Sequence, residues 1–414
     1  MMDAYSNQSA KNAAQPSRLQ AFAARRIARS LAGLTAFRLR VELPGGYIFH
    51  IGPETASACA DWKVRKWNAL LRIAASGVLG FSEGYVHDEW HTSDLPGLLT
   101  ALALELDSNV DIDRKNGPSR LLARLQHGLN GNTRRGSRRN IAYHYDLGNA
   151  FYRHWLDESM TYSSALFETD DESLEIAQTR KYRRICERLG LKPGDRVLEI
   201  GCGWGGFAEV AAREFGCHVT GLTLSVAQLD YARGRLEAAN LADRVDFRLQ
   251  DYRDVNETFD AIASIEMFEA VGEANWPTYY AQLNHCLKPG GRAALQVITI
   301  REDDFAGYRT SADFIQKYVF PGGMLPPASR LAELASSVGL APISTEMFAS
   351  SYAQTLARWH RAYRASRPDL EAMGFDAKFD RIWRFYLAYC EAGFTTGRID
   401  VGHFVYLKPE TSGN

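Results

Sequence analysis

Residues 197–206 read Val-Leu-Glu-Ile-Gly-Cys-Gly-Trp-Gly-Gly, and the chemistry this run can perform is capture of a nucleotide with a cationic tail. The apolar run ending at Ile200 predicts a short parallel strand. Gly201, Gly203 and Gly205 let the backbone bend and approach a ligand with no Cβ in the way. Glu199 sets a carboxylate beside that turn, placed for an amino group, and S-adenosylmethionine meets both requirements. Gly201, Gly203 and Gly206 also satisfy the G-x-G-x-x-G dinucleotide pattern. A dinucleotide site expects an acidic residue about 20 positions on. The second strand ends Thr220-Gly221-Leu222-Thr223-Leu224-Ser225, with no carboxylate before Asp230, so adenosylmethionine is favoured. A tight strand–helix turn with no ligand is the plainer alternative.

Further along, Gln228 lies one turn into the next helix, within reach of a ribose hydroxyl. Gln250-Asp251-Tyr252 closes a third strand with an amide, a carboxylate and a ring, an adenine contact set; Asp251 is alternatively a helix N-cap. Two more segments are both aromatic and polar: His144–Asn149 leading to Met160–Phe167, and Glu266–Gly272. Glu266 and Glu269, three residues apart, are read as sharing one helical face. Their apolar flanks predict that at least one is buried, and a buried carboxylate needs a partner.

The elements that must position these groups follow from periodicity. Strands are predicted at 196–200, 217–223, 244–250, 259–265 and 292–299 with helices between, then late strands at 342–349 and 403–408. This is an α/β, doubly wound Rossmann-like sheet with an antiparallel edge, and ligands sit at the carboxyl ends of its strands. Gly201, Thr223, Asp251 and Glu266 all fall there. Ahead of it, 37–110 reads as a small mixed α+β unit, with strands at Phe37–Leu43 and Tyr47–Ile51 and a helix at Leu98–Leu106. The expected domains are a disordered and basic amphipathic N-terminus at 1–36, a lipid-binding unit at 37–110, a basic linker at 111–140 and a catalytic domain at 141–414.

Charge is distributed unevenly. Residues 1–140 carry 19 Lys/Arg against 12 Asp/Glu, a balance of +7, while the whole chain is at −1. A basic front end suits an anionic partner, nucleic acid or phospholipid. Arg18, Arg25, Arg26 and Arg29 among Leu19, Phe22, Ile27, Leu31 and Leu34 predict a helix that lies on anionic lipid or docks on its own domain. The six cysteines, Cys59, Cys186, Cys202, Cys217, Cys286 and Cys390, show neither metal-ligand nor disulfide spacing, which argues for a reducing compartment and no metal. No run is long enough to span a membrane, and no secretory signal pattern is read.

The motifs His-Tyr-Asp-Leu-Gly-Asn, Met-Thr-Tyr-Ser, the glycine turn, Gly-Leu-Thr-Leu-Ser-x-x-Gln, Met-Phe-Glu-x-Val-Gly and Tyr318–Pro326 resemble the cyclopropane fatty acid synthase family. So does the Phe385-Tyr386-Leu387 segment leading to Cys390, and the resemblance runs from about Gly80–Tyr85 to about 408. It implies a class I methyltransferase that moves a methyl group from adenosylmethionine to a cis double bond of a phospholipid acyl chain. The alkene attacks the sulfonium methyl, and proton loss from the resulting cation closes a cyclopropane ring. A cation in a dry pocket calls for aromatic faces; Tyr145, Tyr162, Phe167 and Phe268 are the candidates. The resemblance also implies bicarbonate as the base, held by Glu269, the Tyr352 hydroxyl, and the backbone of Ser164 and Ile298. Gln296 stands where a histidine ligand is expected. An amide donates to an anion but cannot become cationic, so a methyl-branched or methylene chain is the alternative product. Cofactor contacts carried over are Tyr162, Ser163, Gly201, Gly203, Thr223, Gln228 and Tyr252, beside Glu199, Gly205 and Asp251 from the reading above. Cys390 matches a position proposed as a catalytic thiol, although burial is the plainer role.

The expected protein is cytoplasmic, peripheral on the inner face of the cell membrane, with phospholipid as its partner and no nucleic acid; the resemblance allows a homodimer. A nucleic-acid methyltransferase would explain the basic N-terminal third, but no acidic-proline-aromatic tetrapeptide follows the fourth strand. A lipid-binding protein with a decayed site is opposed by the intact glycine turn and Glu269.

Overall fold

The computed structural model describes residues 16–31, 33–35, 37–56, 58–108, 147–310 and 313–410. The basic linker 111–140, Tyr145 and the tail before residue 16 lie outside them. By internal contacts the chain forms two units, and 374–396 belongs with the first rather than with the residues around it. The expected continuous domain at 141–414 is therefore interrupted.

In the first unit, β1 (Phe37–Leu43) and β2 (Tyr47–Ile51) form an antiparallel hairpin at the predicted positions, turned through Gly45 and Gly46, both at positive φ. Alternate residues Phe37, Leu39, Val41 and Leu43 are buried, the period of two expected of a half-covered strand. Two strands escaped the sequence reading: β3 (Ala58–Val64), parallel to β1, and β4 (Trp90–His91), antiparallel to β3, giving the order β2-β1-β3-β4. The helix Asn68–Val86 was also missed. The helices Asn68–Val86 and Leu95–Ser108 pack against Ala377–Thr395, which explains the domain assignment of that distant helix. Trp90 is fully buried with the Phe81 and Tyr85 rings 4.3 and 5.0 Å away. Gly84 makes room for it, since a Cβ there would stand 2.9 Å from the indole. The helix Arg18–Ser30 starts at a Ser17/Gln20 capping box and buries Ala23, Ala24 and Ala28, while Leu19 and Phe22 stay exposed among the arginines. Its docked face is thus alanine, not the larger apolar side chains expected.

The second unit is a seven-stranded sheet. Its strands are β5 (Arg196–Ile200), β6 (His218–Thr223), β7 (Val245–Leu249), β8 (Phe259–Ile265), β9 (Leu287–Ile300), β10 (Ala341–Met347) and β11 (Ile399–Leu407). The order is β10-β11-β9-β8-β5-β6-β7, with β5 to β9 parallel and β11 antiparallel to both its neighbours. The late pair β10–β11 forms the expected antiparallel edge of the sheet, with β10, half exposed, outermost.

β5 is buried on both faces, as a parallel strand covered by helices must be. Leu198 and Ile200 join a core with Ile262, Leu295, Tyr279 and Leu331. Val197 points the other way, to Ile185, Phe207, Ala232 and Phe247. The chain leaves β5 towards β6 and β7 on one side, and β8 and β9 lie on the other. The crevice where the order reverses opens at the carboxyl end of β5.

Candidate active site

At that crevice, Gly201, Gly203 and Gly205 have φ of 88°, 51° and 84°, the left-handed region where glycine meets no Cβ penalty. The Gly201 and Cys202 N–H groups donate to the Leu222 carbonyl, holding the turn against β6. Glu199 is buried, and its Oε2 has no hydrogen-bond partner among the described residues. Burial pushes its carboxyl well above the ordinary range. An orphaned acid beside an open backbone turn fits the positively charged amino group of adenosylmethionine.

Thr223 and Gln228 are buried together, the Thr223 hydroxyl donating to Gln228 Oε1 at 2.9 Å. Ser225 caps the helix Val226–Ala238 by accepting from the Gln228 N–H. Asp251 caps a 3₁₀ turn by accepting from the Arg253 N–H at 3.0 Å, and Arg253 also forks onto its carboxylate at 2.8 and 2.6 Å. Its capping role is therefore real, and its carboxylate meets any adenine with most of its acceptor sites engaged. Tyr252 packs edge-on to Tyr279 with the rings 5.2 Å apart.

The segment Met160–Phe167 has no regular structure and is held by side chains from two helices. Gln178 donates to the Ser163 carbonyl at 2.9 Å, and Lys181 Nζ to the Ser163 hydroxyl at 2.5 Å. The Ala165 N–H donates to Thr355, and that of Phe167 to Ser351. Tyr162 stands in an aromatic cluster with Tyr152, Trp155 and Trp359, the ring centres 5.4 to 5.5 Å from its own. The other aromatic candidates differ. Phe268 is fully buried in core stacking on Trp276, and Phe167 is covered by the Arg358 guanidinium 4.2 Å from its ring centre.

Glu266 and Glu269 do not share a helical face. Glu266 follows the end of β8 at φ 49°, and Glu269 sits in the 3₁₀ turn Phe268–Ala270. The Glu266 carboxylate accepts from the Ser164 N–H at 2.8 Å, from Gln296 Nε2 at 2.7 Å and from the Tyr352 hydroxyl at 2.6 Å. Burial raises its carboxyl, and Tyr352, Lys181, Ser164 and Gln296 pull against that. Glu269 Oε1 accepts from the Ile298 N–H at 2.6 Å, while Oε2 is buried without a partner among the described residues. Burial, then the Glu266 charge, push Glu269 up to about 8.

Ser164, Gln296, Tyr352, Ile298 and Glu269, expected around a bicarbonate ion, are thus brought together. Their donors, however, are already spent on the two glutamates. A free anion would have to compete with the Glu266 carboxylate for these donors and lie against its charge, so the arrangement does not fit bicarbonate.

Sequence reasoning also missed what stands behind Gln296. His403 is its cross-strand neighbour on β11, and His403 Nε2 lies 2.9 Å from Gln296 Oε1. Burial and the Lys181 charge depress the imidazole to about 3, so it is neutral. The Glu266 carboxylate accepts from Gln296 Nε2, which leaves Gln296 Oε1 facing His403 Nε2 as an acceptor and makes that ring nitrogen the donor. Lys181, fully buried, was missed as well; burial lowers it to about 7. β11 is buried on both faces from Val401 to Tyr406, so the strand itself marks out no special role for His403, and only the register of a non-sequential strand pair reveals its partner. The two halves of the site adjoin, since a Cβ on Gly201 would lie 2.9 Å from the Met267 side chain. Cys390 lies on the helix Ala377–Thr395 of the first unit, partly exposed.

A family model described as mycolic acid cyclopropane synthetase matches residues 132–404. The chain is 37% identical over 397 residues to the tuberculostearic acid methyltransferase UfaA1 of Mycobacterium tuberculosis, covering 90% of this chain and 89% of that one. It is 34% identical over 358 residues to the cyclopropane-fatty-acyl-phospholipid synthase of Escherichia coli, covering 86% and 90%. Among solved structures, the mycolic acid cyclopropane synthase CmaA1 complexed with SAH and CTAB superposes with a TM-score of 0.62 at 31% identity, over 66% of this chain and 98% of that one. The chain belongs to the mycolic acid cyclopropane synthetase family and is an S-adenosylmethionine-dependent methyltransferase.

Proposed function

We propose that this family member transfers a methyl group from S-adenosylmethionine to the cis double bond of an unsaturated phospholipid acyl chain, closing a cyclopropane ring. The observation that carries the reading is the meeting of the glycine turn and orphaned Glu199 with a buried, donor-supported carboxylate pair. The described site residues include no nucleophile aimed at a carbonyl or phosphate. In this chemistry the alkene π pair forms the new C–C bond as the C–S bond breaks, leaving S-adenosylhomocysteine and a carbocation. Proton loss then returns the C–H electron pair to carbon. Glu199 takes the amino group of the cofactor, the glycine turn admits its sugar and tail, and Gln228 with Thr223 borders the ribose. Tyr162 and its ring neighbours offer π faces to the cation and keep out water, which would trap it as an alcohol.

The whole-length likeness to the E. coli enzyme supports phospholipid as the acyl carrier. Among the described residues no helix is long and apolar enough to cross a membrane. Contact with the inner membrane face is assigned to the exposed Leu19 and Phe22 with the neighbouring arginines of the helix Arg18–Ser30. The expected lipid-binding role of the first unit belongs to this reading too. A second product is favoured by Gln296 and by the likeness to UfaA1: proton loss from a neighbouring chain carbon gives an unsaturated methyl-branched chain, and a 1,2-hydride shift followed by proton loss from the transferred methyl gives a methylene chain.

The test is the fatty-acid methyl-ester profile of a bacterial host lacking its own cyclopropane synthase and expressing this chain. A product one CH₂ heavier than the monounsaturated chain that resists mild hydrogenation confirms the ring. The same gain in a product that takes up hydrogen establishes the second reading. No mass gain overturns both.

A further inference from the structure

The geometry points to Glu266 as the catalytic base: its carboxylate takes the proton from the methylated acyl chain, in place of any dissolved anion. The assignment rests on the acyl-chain reading above and names the proton acceptor for it.

Three observations carry it. First, Ser164, Gln296 and Tyr352 converge on this one carboxylate within 2.6 to 2.8 Å. Such donors favour the ionised form of a buried acid. Second, a carboxylate offers about four lone-pair sites. Two donors take Oε1 and one takes Oε2, so Oε2 keeps one site for a proton. Third, Glu266 holds a left-handed backbone at φ 49°. A non-glycine residue is uncommon there, and such conformations persist where the surroundings over-determine them. The strain delivers the side chain to donors that would otherwise face each other empty.

The surroundings supply the rest. His403 fixes the Gln296 amide with its N–H₂ towards Glu266. Lys181 contributes positive charge to Glu266, and Glu269, raised to about 8, keeps its proton near neutrality and adds no second charge. In the step itself, Glu266 Oε2 forms an O–H bond as the acyl C–H bond breaks, and that electron pair closes the C–C bond or forms the new alkene. The glutamic acid then releases its proton to solvent as product leaves.

The experiment measures methylation of unsaturated phospholipid vesicles by the full chain, in buffer stripped of carbon dioxide and again with millimolar bicarbonate. Wild type is expected to turn over equally in both. Glu266→Gly suits the backbone, because glycine adopts this φ freely. It is expected to lose about 100-fold or more in kcat, the range of general-base contributions, and to regain part of it when bicarbonate enters the vacated space. Wild-type activity that collapses without carbonate and returns with it overturns the assignment. So does Glu266→Gly, or a Glu266→Gln control, with near wild-type turnover in stripped buffer. A wild type that binds adenosylmethionine yet methylates no acyl chain overturns instead the reading on which the assignment rests.

Discussion

The two halves of the site treat their polar groups in opposite ways. Around the glycine turn, a buried acid oxygen, Glu199 Oε2, has no hydrogen-bond partner among the described residues. Around the end of β8, three donors meet the Glu266 carboxylate and one meets Glu269 Oε1, so that only the neutral Glu269 keeps an oxygen without a partner among the described residues. An unsatisfied buried group is costly and waits for a ligand of complementary charge. A satisfied one already has its ligand. The cofactor half is thus built to receive a cation, whereas the proton-accepting half carries its own anion.

Breaking the open half has the largest effect on binding. Glu199→Gln removes the acid that can ionise against the cofactor's amino group, and charge-assisted hydrogen bonds are worth about 1.5–3 kcal/mol. A rise in the adenosylmethionine Kd of about 10- to 100-fold is expected by calorimetry, with ligand-free stability no lower than wild type. An unchanged Kd would mean that the acid faces something else.

The closed half responds in kcat. Tyr352→Phe deletes the hydroxyl donated to Glu266 Oε2. A loss of about tenfold in kcat with unchanged cofactor affinity is expected, from about 1.5 kcal/mol for a hydrogen bond to a charged group.

Glu269→Gln sharpens the contrast by changing little. The wild-type acid already carries its proton near pH 7, being raised from its ordinary 4.5 to about 8. A neutral amide is a near copy, and turnover at pH 7 should stay within a few-fold. The signature lies in stability. An acid raised in the folded state keeps its proton while the unfolded chain releases it, so stability falls as pH rises from about 4.5 towards 8. Denaturant midpoints across that range should fall less steeply in Glu269→Gln. An equal slope would return the shift to other buried acids such as Glu199.

Much of the open half was legible in the sequence. Val197 to Gly206 gave strand and turn because burial and positive φ leave few residue choices, and the strand at 196–200 is matched to the residue. The closed half was harder. Glu266 and Glu269 stood out as carboxylates in apolar company, but spacing of three suggested a helix. The backbone instead leaves β8 through a left-handed residue, which periodicity does not encode. His403 behind Gln296 depends on strand register between distant segments, and the bicarbonate site was expected from the family resemblance, since the convergence of three donors on Glu266 shows only in three dimensions. The helix Ala377–Thr395 carries an apolar stripe that fits any partner, so its place in the first unit was equally hidden.

The placement of β11 bears on biosynthesis. It lies between β9 and β10, yet it is translated after both and after the excursion through 374–396. Until it inserts, two strands present unpaired edges, which are templates for pairing with other chains. A nascent polypeptide stalled before Ile399 would expose those edges without His403 to orient Gln296, leaving it open to aggregation and short of its proton-transfer half. Chaperone demand should therefore last, and activity should begin, only once residues 399–407 have been made and have inserted.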